Sequence, residues 1–223
     1  MQTAVDPNDG TLYAVFSDVT DFDSSTGNYD VDIYFTKSDD SGLTWSDPPT
    51  ILNSDSTIPA DQFMPWIEVD SFGRIHVVYY DTRSQLQSDD GLTPAIAEVY
   101  YAFSDDGGDN WTDFPISPQP FEIPDDASPL RTRIGDYIGI AVNNRTVHPI
   151  YMSTHEGAAH IYSNKILPCL LGDVNGDGAA NLLDISPFVD IQSQGGFSCE
   201  ADINGDGDVN LLDVVPFIEV ISN

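Results

Sequence analysis

Basic side chains are scarce: 7 Lys and Arg stand against 37 Asp and Glu, a formal charge of −30. A field of that sign repels polyphosphates and anionic bilayers, so nucleic acid and acidic membrane surfaces are excluded as partners, whereas cations are favoured. Long apolar runs are missing too. Ile166 to Leu171 is interrupted by Pro168 and falls far short of the roughly 20 residues a spanning helix needs, so no insertion into a membrane is expected. Gln2 to Asn8 has neither a basic n-region nor an apolar h-region, so an export signal, if the protein is secreted, would precede Met1. Cysteine is limited to Cys169 and Cys199, one ahead of each of two acidic loops. Either they form a clasp, which would close a loop of about 30 residues, contribute on the order of 3–4 kcal/mol and imply an oxidising compartment, or they are two buried free thiols.

Helical periodicity is absent from residues 1–168, where short β-branched and aromatic runs such as Thr11 to Val19, Val31 to Thr36, Arg74 to Asp81 and Ala97 to Phe103 alternate with turn residues. These runs repeat. Ala4 to Asp18 aligns with Glu68 to Asp81 across a one-residue gap, and a third copy runs from Ile138 through the turn at Asn143–Arg145 to Ser153. Strands are expected at about 2–6, 11–19, 29–37, 48–53, 64–69, 74–81, 97–104 and 113–119, with a third unit that lacks its outer strand.

A second element recurs inside the first two units: Ser38-Asp39-Asp40-Ser41-Gly42-Leu43-Thr44-Trp45 and Ser104-Asp105-Asp106-Gly107-Gly108-Asp109-Asn110-Trp111. The pattern S-x-D-x-G-x-[T/N]-W resembles the Asp-box of bacterial-neuraminidase-type repeats, found in sialidases and other β-propellers. That resemblance implies an all-β partial propeller of about three blades over 1–168, with Asp40 and Asp106 accepting backbone N–H groups, Gly42 and Gly108 at positive φ, and Trp45 and Trp111 between blades.

The segment 169–223 carries a different repeat. Asp173, Asn175, Asp177, Ala179, Asn181 and Asp184 recur 29 positions later (202 − 173 = 29) as Asp202, Asn204, Asp206, Asp208, Asn210 and Asp213, with Gly178 and Gly207 at the sixth place of each loop. Oxygen donors at loop positions 1, 3, 5, 9 and 12, a backbone carbonyl at 7 and glycine at 6 are the spacing of an EF-hand calcium loop, so two Ca²⁺ ions are expected. Each loop is followed by an apolar pattern, Leu183, Ile185, Phe188, Val189 and Ile191 in one copy and Leu212, Val214, Phe217, Ile218 and Val220 in the other, which predicts a short helix. Loop plus exiting helix, duplicated, resembles a type I dockerin. The resemblance implies a small α domain that docks a secreted protein onto a cohesin-like or cell-surface partner through loop positions 10 and 11, here Leu182, Leu183, Leu211 and Leu212, some of which are alternatively core.

Two functional classes follow. One is an extracellular or cell-surface modular protein whose propeller recognises carbohydrate or protein while the C-terminal module anchors it. The other is a sialidase-like or related propeller glycoside hydrolase in polysaccharide breakdown. For that chemistry Arg74, Arg83, Arg131, Arg133, Arg145, Asp81, Glu98, Tyr100 and Tyr137 are available, though no signature orders them. Carboxylates about 5 to 9 Å apart in a central pocket would favour the enzyme, and a pocket of aromatics and amides would favour binding.

Overall fold

Strands form where β-branched and aromatic residues alternate, and they break where Pro, Gly, Asn and Asp cluster. The computed structural model describes residues 1–22, 29–54, 60–84, 96–123, 137–143, 146–166, 170–177, 179–196, 198, 200–204 and 208–222. It divides into two compact units, Met1–Ile166 and Leu167–Asn223. The chain is mostly β, with three sheets and two short helices among the described residues.

Each sheet is an antiparallel meander in chain order. The first runs β1 (Gln2–Val5), β2 (Leu12–Phe22), β3 (Tyr29–Ser38), β4 (Thr50–Ile51); the second runs β5 (Gln62–Val69), β6 (Ile75–Asp81), β7 (Ile96–Ser104), β8 (Thr112–Pro115). The run expected at 113–119 is shorter than read: β8 ends at Pro115, and a separate β9 (Phe121–Glu122) pairs with the start of β7. The third sheet is β10 (Gly139–Asn143), β11 (Thr146–Ser153) and β12 (His160–Ser163).

The second sheet is covered on both faces. Val15, Ile33 and Phe35 of the first sheet meet Ile75, Val77 and Tyr79 in one apolar layer, and Val78, Tyr80, Val99 and Tyr101 meet Ile140, Val147 and Tyr151 of the third sheet in another. Period-2 alternation along β6 delivers odd-numbered residues to one neighbour and the rest to the other, which is why every residue of β6 is buried. Among the described residues the third sheet is covered on one face only, and the repeat register shows the effect. Val15 and Val78 are equivalent and fully buried, whereas their counterpart in the third sheet, Ile150, is 51% exposed.

In the second unit a single 3₁₀ turn, Leu182–Asp184, leads into α1 (Ile185–Gln194), and α2 (Val214–Ile221) follows the second loop. Pro187 and Pro216 are each third in their helix, where a missing N–H costs no intrahelical bond. The core is Phe188, Ala201, Val209, Phe217 and Ile221, and the rings of Phe188 and Phe217, 29 residues apart, stack at 4.1 Å. The expected apolar faces are corrected in part. Leu183, Ile185, Val189, Leu212 and Ile218 are exposed, because this small core is filled by the two phenylalanines and the residues around them.

Candidate functional site

The two Asp-boxes are built alike. Asp40 accepts hydrogen bonds from Thr44 N (2.8 Å), Thr44 Oγ1 (2.6 Å) and Ser38 Oγ (2.8 Å). Asp106 accepts them from Asn110 N (2.9 Å), Asn110 Nδ2 (2.7 Å) and Ser104 Oγ (2.8 Å). Thr44's bonds hold the Asp40 carboxyl at about 2; partial burial works against the Asp106 carboxyl, but Asn110 and Ser104 hold it at about 2 as well. Gly42 (φ 85°) and Gly108 (φ 89°) take the conformation expected of them. Trp111 sits edge-on to Phe35 at 5.1 Å, between the first and second sheets, while Trp45 is part-exposed on the first sheet. The Asp40 and Asp106 carboxylates serve the hairpins that carry them, while Lys37 of the first sheet reaches the second box at Gly107 O (3.0 Å) and Asp109 Oδ1 (3.1 Å).

The arginines within the described residues are committed to internal partners. Arg83 binds Asp81 (2.7 Å) and Asp113 (2.9 Å) and stacks over Tyr100 at 4.0 Å. Burial works against its charge, but the two carboxylates win and push its ionisation upward. Arg74 forks onto Asp105, with Nη2 at 3.0 Å from Oδ2. Glu98 accepts from Ser84 Oγ. Arg131, Arg133 and Arg145 lie outside the described residues. Tyr137 stands apart from the Arg83 cluster, on a cavity of about 260 Å³ lined by Met1, Gln2, Ser17, Met64, Pro65, Trp66, Tyr137 and Ile138.

Three hydrogen bonds recur at equivalent places in the two loops of the second unit. Asp184 Oδ1 accepts from Asn175 N (2.9 Å) and Oδ2 from Asn181 N (2.9 Å); Asp213 Oδ1 accepts from Asn204 N (3.1 Å) and Oδ2 from Asn210 N (2.9 Å). Asn181 Oδ1 caps Leu183 N, and Asn210 Oδ1 caps Leu212 N. Asp173 Oδ1 accepts from Asp177 N, which also donates to Asn175 Oδ1. Asp173, Asp184 and Asp213 are 0% exposed and Asp202 is buried. Asp206, Gly178, Gly207, Cys169 and Cys199 lie outside the described residues, and with the cysteines goes the expected clasp.

Charge makes these buried carboxylates unusual. Residues 167–223 number 57 (223 − 166) and contain eight Asp, two Glu and no Lys, Arg or His. A cation from another source suits such a unit, and the donors present suit a hard one. Carboxylates of Asp173, Asp177 and Asp184, the amides of Asn175 and Asn181 and the Ala179 carbonyl are oxygen donors in the first loop; Asp202, Asn204, Asn210, Asp213 and the Asp208 carbonyl are their counterparts in the second. Among the described residues no three His, Cys, Asp or Glu side chains converge as a metal cluster. Such a cage takes about half its oxygens from amides and carbonyls, and here the carboxylates are turned to backbone N–H groups. Leu182, Leu183, Leu211 and Leu212, at the ends of these loops, are 68% to 80% exposed, so none belongs to the core.

No protein-family profile matches the chain, and no curated protein does. Among solved structures the chain is similar to the Hadza microbial sialidase Hz136 (14% identity, TM-score 0.46, over 74% of this chain and 31% of that one). It is also similar to a protein of unknown function from Dyadobacter fermentans (16%, 0.46, 73% and 36%) and to Zg3597, a family 117 glycoside hydrolase of the marine bacterium Zobellia galactanivorans (14%, 0.43, 74% and 51%). The chain thus spans about a third to a half of each of these proteins.

Two groupings escaped the reading of motifs. Tyr162 OH donates to Glu156 Oε2 at 3.0 Å beside His155, whose ring centroid is 4.3 Å from that of Tyr162, at the turn between β11 and β12. The cavity escaped as well, because its walls come from positions more than 60 residues apart. The signal that reveals it is the repeat register. Among the described residues no helix is long and apolar enough to cross a membrane.

Proposed function

We propose that residues 167–223 bind two calcium ions and form a dockerin-like module, by which the sheet unit, a recogniser of carbohydrate or protein, is docked to a cohesin-like or cell-surface partner outside the cell. The observation that carries this reading is the pair Asp184 and Asp213, fully buried in matching hydrogen-bond settings inside a unit with ten carboxylates and no basic residue. Isolated buried carboxylates are costly, by several kcal/mol each, unless a cation or a full set of donors compensates them. Calcium supplies that charge, and oxygen-only donors on a tight loop are its preferred ligands. The docking half rests on the two exposed leucine pairs beside the loops, apolar surface that a partner can cover.

Calorimetric titration of the full chain with calcium tests this. Two sites are expected, with Asp184→Ala removing one and Asp213→Ala removing the other. No binding at roughly millimolar calcium overturns the assignment.

A second reading, a sialidase-like glycoside hydrolase, is favoured by one observation, the hydrogen-bonded Tyr162–Glu156 pair on the sheet unit. Hydrolysis of aryl glycosides that is lost in both Glu156→Gln and Tyr162→Phe would support it, and inactivity of the unaltered full-length protein would remove it.

A further inference from the structure

We propose that the face of the third sheet turned away from the second docks the first sheet of another copy of this chain, in the manner in which the first sheet of each copy docks its own second sheet. This rests on the repeat register of the sheet unit and is independent of the calcium loops.

The contact already made inside the chain shows what such docking needs. Phe35 of β3 meets Trp111 edge-on at 5.1 Å and lies so close to Gly108 that a Cβ there would be 2.2 Å from the ring. Lys37, two residues along β3, donates to Gly107 O at 3.0 Å and to Asp109 Oδ1 at 3.1 Å. Gly107, Gly108, Asp109 and Trp111 all belong to the second Asp-box. Counterparts of both partners are left uncovered. Pairing of Ile150 with Ser163 and the bridge of Val147 with Ile166 set Lys165 opposite His148, as Lys37 stands opposite Tyr13. Lys165 is thus the third sheet's counterpart of Lys37, exposed and without an ion-pair partner among the described residues. In the first box Leu43 takes the place of Asp109 and Trp45 that of Trp111, and they are 84% and 38% exposed.

Apolar side chains follow the same register. Ile150 occupies the place of Val15 and Val78, which are fully buried against the sheet that follows each of them, and Ile161 beside it is exposed as well. On the first sheet Leu12, Ala14 and Phe16 are the counterparts of Ile75, Val77 and Tyr79, through which the second sheet receives the first. Leu12 and Phe16 remain half-buried, and their surroundings include the exposed Val5, paired with Leu12, and the exposed Ile51, paired with Tyr34. Each copy therefore carries both halves of an interface that it makes once internally.

Charge decides which face meets which. The chain has 37 Asp and Glu, yet the exposed side chains on the third-sheet face, Ala141, His148, Ile150, Ile161, Ser163 and Lys165, include no acid and do include a lysine and an imidazole. The first-sheet face carries Asp18, and its box carries Asp39 and Asp40. Two third-sheet faces would set lysine against lysine and two first-sheet faces aspartate against aspartate, whereas one of each brings opposite signs together. A contact of this kind is heterologous and runs on as a filament unless its rotation closes. Two copies bring six sheets, within the four to eight of closed propellers, so a closed pair is expected. Docking covers the face of the third sheet and leaves the outer edge of β12 open.

Sedimentation equilibrium and light scattering on the full chain in calcium test the proposal. A particle of twice 24.3 kDa (2 × 24.3 = 48.6 kDa) is expected. Ile150→Asp and Ile161→Asp should each weaken the pair about tenfold or more, because the new carboxylate is enclosed without a partner, whereas Phe72→Asp adds the same charge at an exposed turn of the second sheet and should leave the pair unchanged. All three side chains are exposed in the single chain, so the variants fold, which their thermal midpoints check. Leu43→Asp puts a carboxylate where Asp109 stands in the second box, within reach of the partner's Lys165. It should tighten the pair up to about fivefold, and Lys165→Gln should remove that gain. Extra acid elsewhere on a chain of charge −30 opposes self-association, so this gain is specific to the proposed contact. The proposal is overturned if the chain is monomeric at roughly 100 μM, if the pair survives both third-sheet variants, if Leu43→Asp gains nothing, or if assembly continues beyond the pair. Calcium uptake is measured on the same samples, so a failure here leaves the calcium reading standing, and the reverse.

Discussion

Removing calcium should melt the second unit and leave the first intact. At about 1 mM calcium, a site with a Kd of about 10 μM adds RT ln(1 + 100), about 2.7 kcal/mol, and two such sites add about 5 kcal/mol. At the usual stability per residue, a unit of 57 residues has only about 3–9 kcal/mol in total. Calcium bound at that affinity would supply most of the stability, and its loss would correspond to a fall in Tm of roughly 20–40 °C at about 4–8 °C per kcal/mol. The molecule contains its own pair of reporters. All three tryptophans and all ten tyrosines lie in residues 1–166, whereas both helices among the described residues lie in residues 167–223. Circular dichroism at about 222 nm therefore follows the second unit, and tryptophan fluorescence follows the first, in one sample of the full chain. The helical signal should melt far earlier in chelator than in calcium, with the fluorescence transition unmoved. Equal helical midpoints in the two conditions, to within a few degrees, would refute the reasoning. Asp184→Ala should produce about half the shift.

Further expectations concern other contacts. Gly108→Ala places a Cβ 2.2 Å from Phe35 Cε1 at φ 89°, so it should cost about 2–4 kcal/mol in urea unfolding followed by tryptophan fluorescence; Gly42→Ala, with 3.3 Å to Leu12, should cost about 1–2 kcal/mol. Equal losses would show that the close approach of Gly108 to the first sheet is unimportant. Asp40 and Asp106 titrate at about 2 instead of 3.8 when folded, so their contribution is complete above about pH 4 and disappears as pH falls towards 2. The fluorescence-detected Tm of the sheet unit should follow that course, and Asp106→Asn should flatten it; an unchanged slope in the variant would count against the box as a source of acid sensitivity. Intact mass before and after reduction and alkylation should reveal a Cys169–Cys199 bond in protein made in an oxidising compartment, where two freely alkylated thiols would rule the clasp out.

Local chemistry was legible wherever the residues that cooperate are neighbours in sequence. Ser38 to Trp45 and Ser104 to Trp111 gave hairpins with the expected donors and acceptors because the bonds to Asp40, Asp106, Ser38 and Ser104 that shape the box span four residues or fewer. The hydrogen bonds that recur in the two acidic loops are likewise short-range, spanning nine residues or fewer. Three-dimensional selection among apolar residues was not legible. Leu183 and Phe188 look alike in a helical pattern, yet one is exposed and the other sits against Phe217, because two short helices have room in their shared core for only a few side chains. The charge balance of the second unit was present in the sequence and is visible only once the unit's limits are known. The cavity needed both the repeat register and the bulge at Met64, and no periodicity announces a bulge.

Burial of the second sheet on both faces implies an order of opening. Amides of β6 can exchange with solvent only after a neighbouring sheet has separated, so their exchange should report global unfolding of the sheet unit. Among the described residues β12 pairs with β11 alone, and Ile161 within it is exposed, so its amides should exchange through local fraying at much lower free energy. Deuterium uptake would then spread inward from β12 to β6, and a protease acting on the native ensemble should reach the third sheet first.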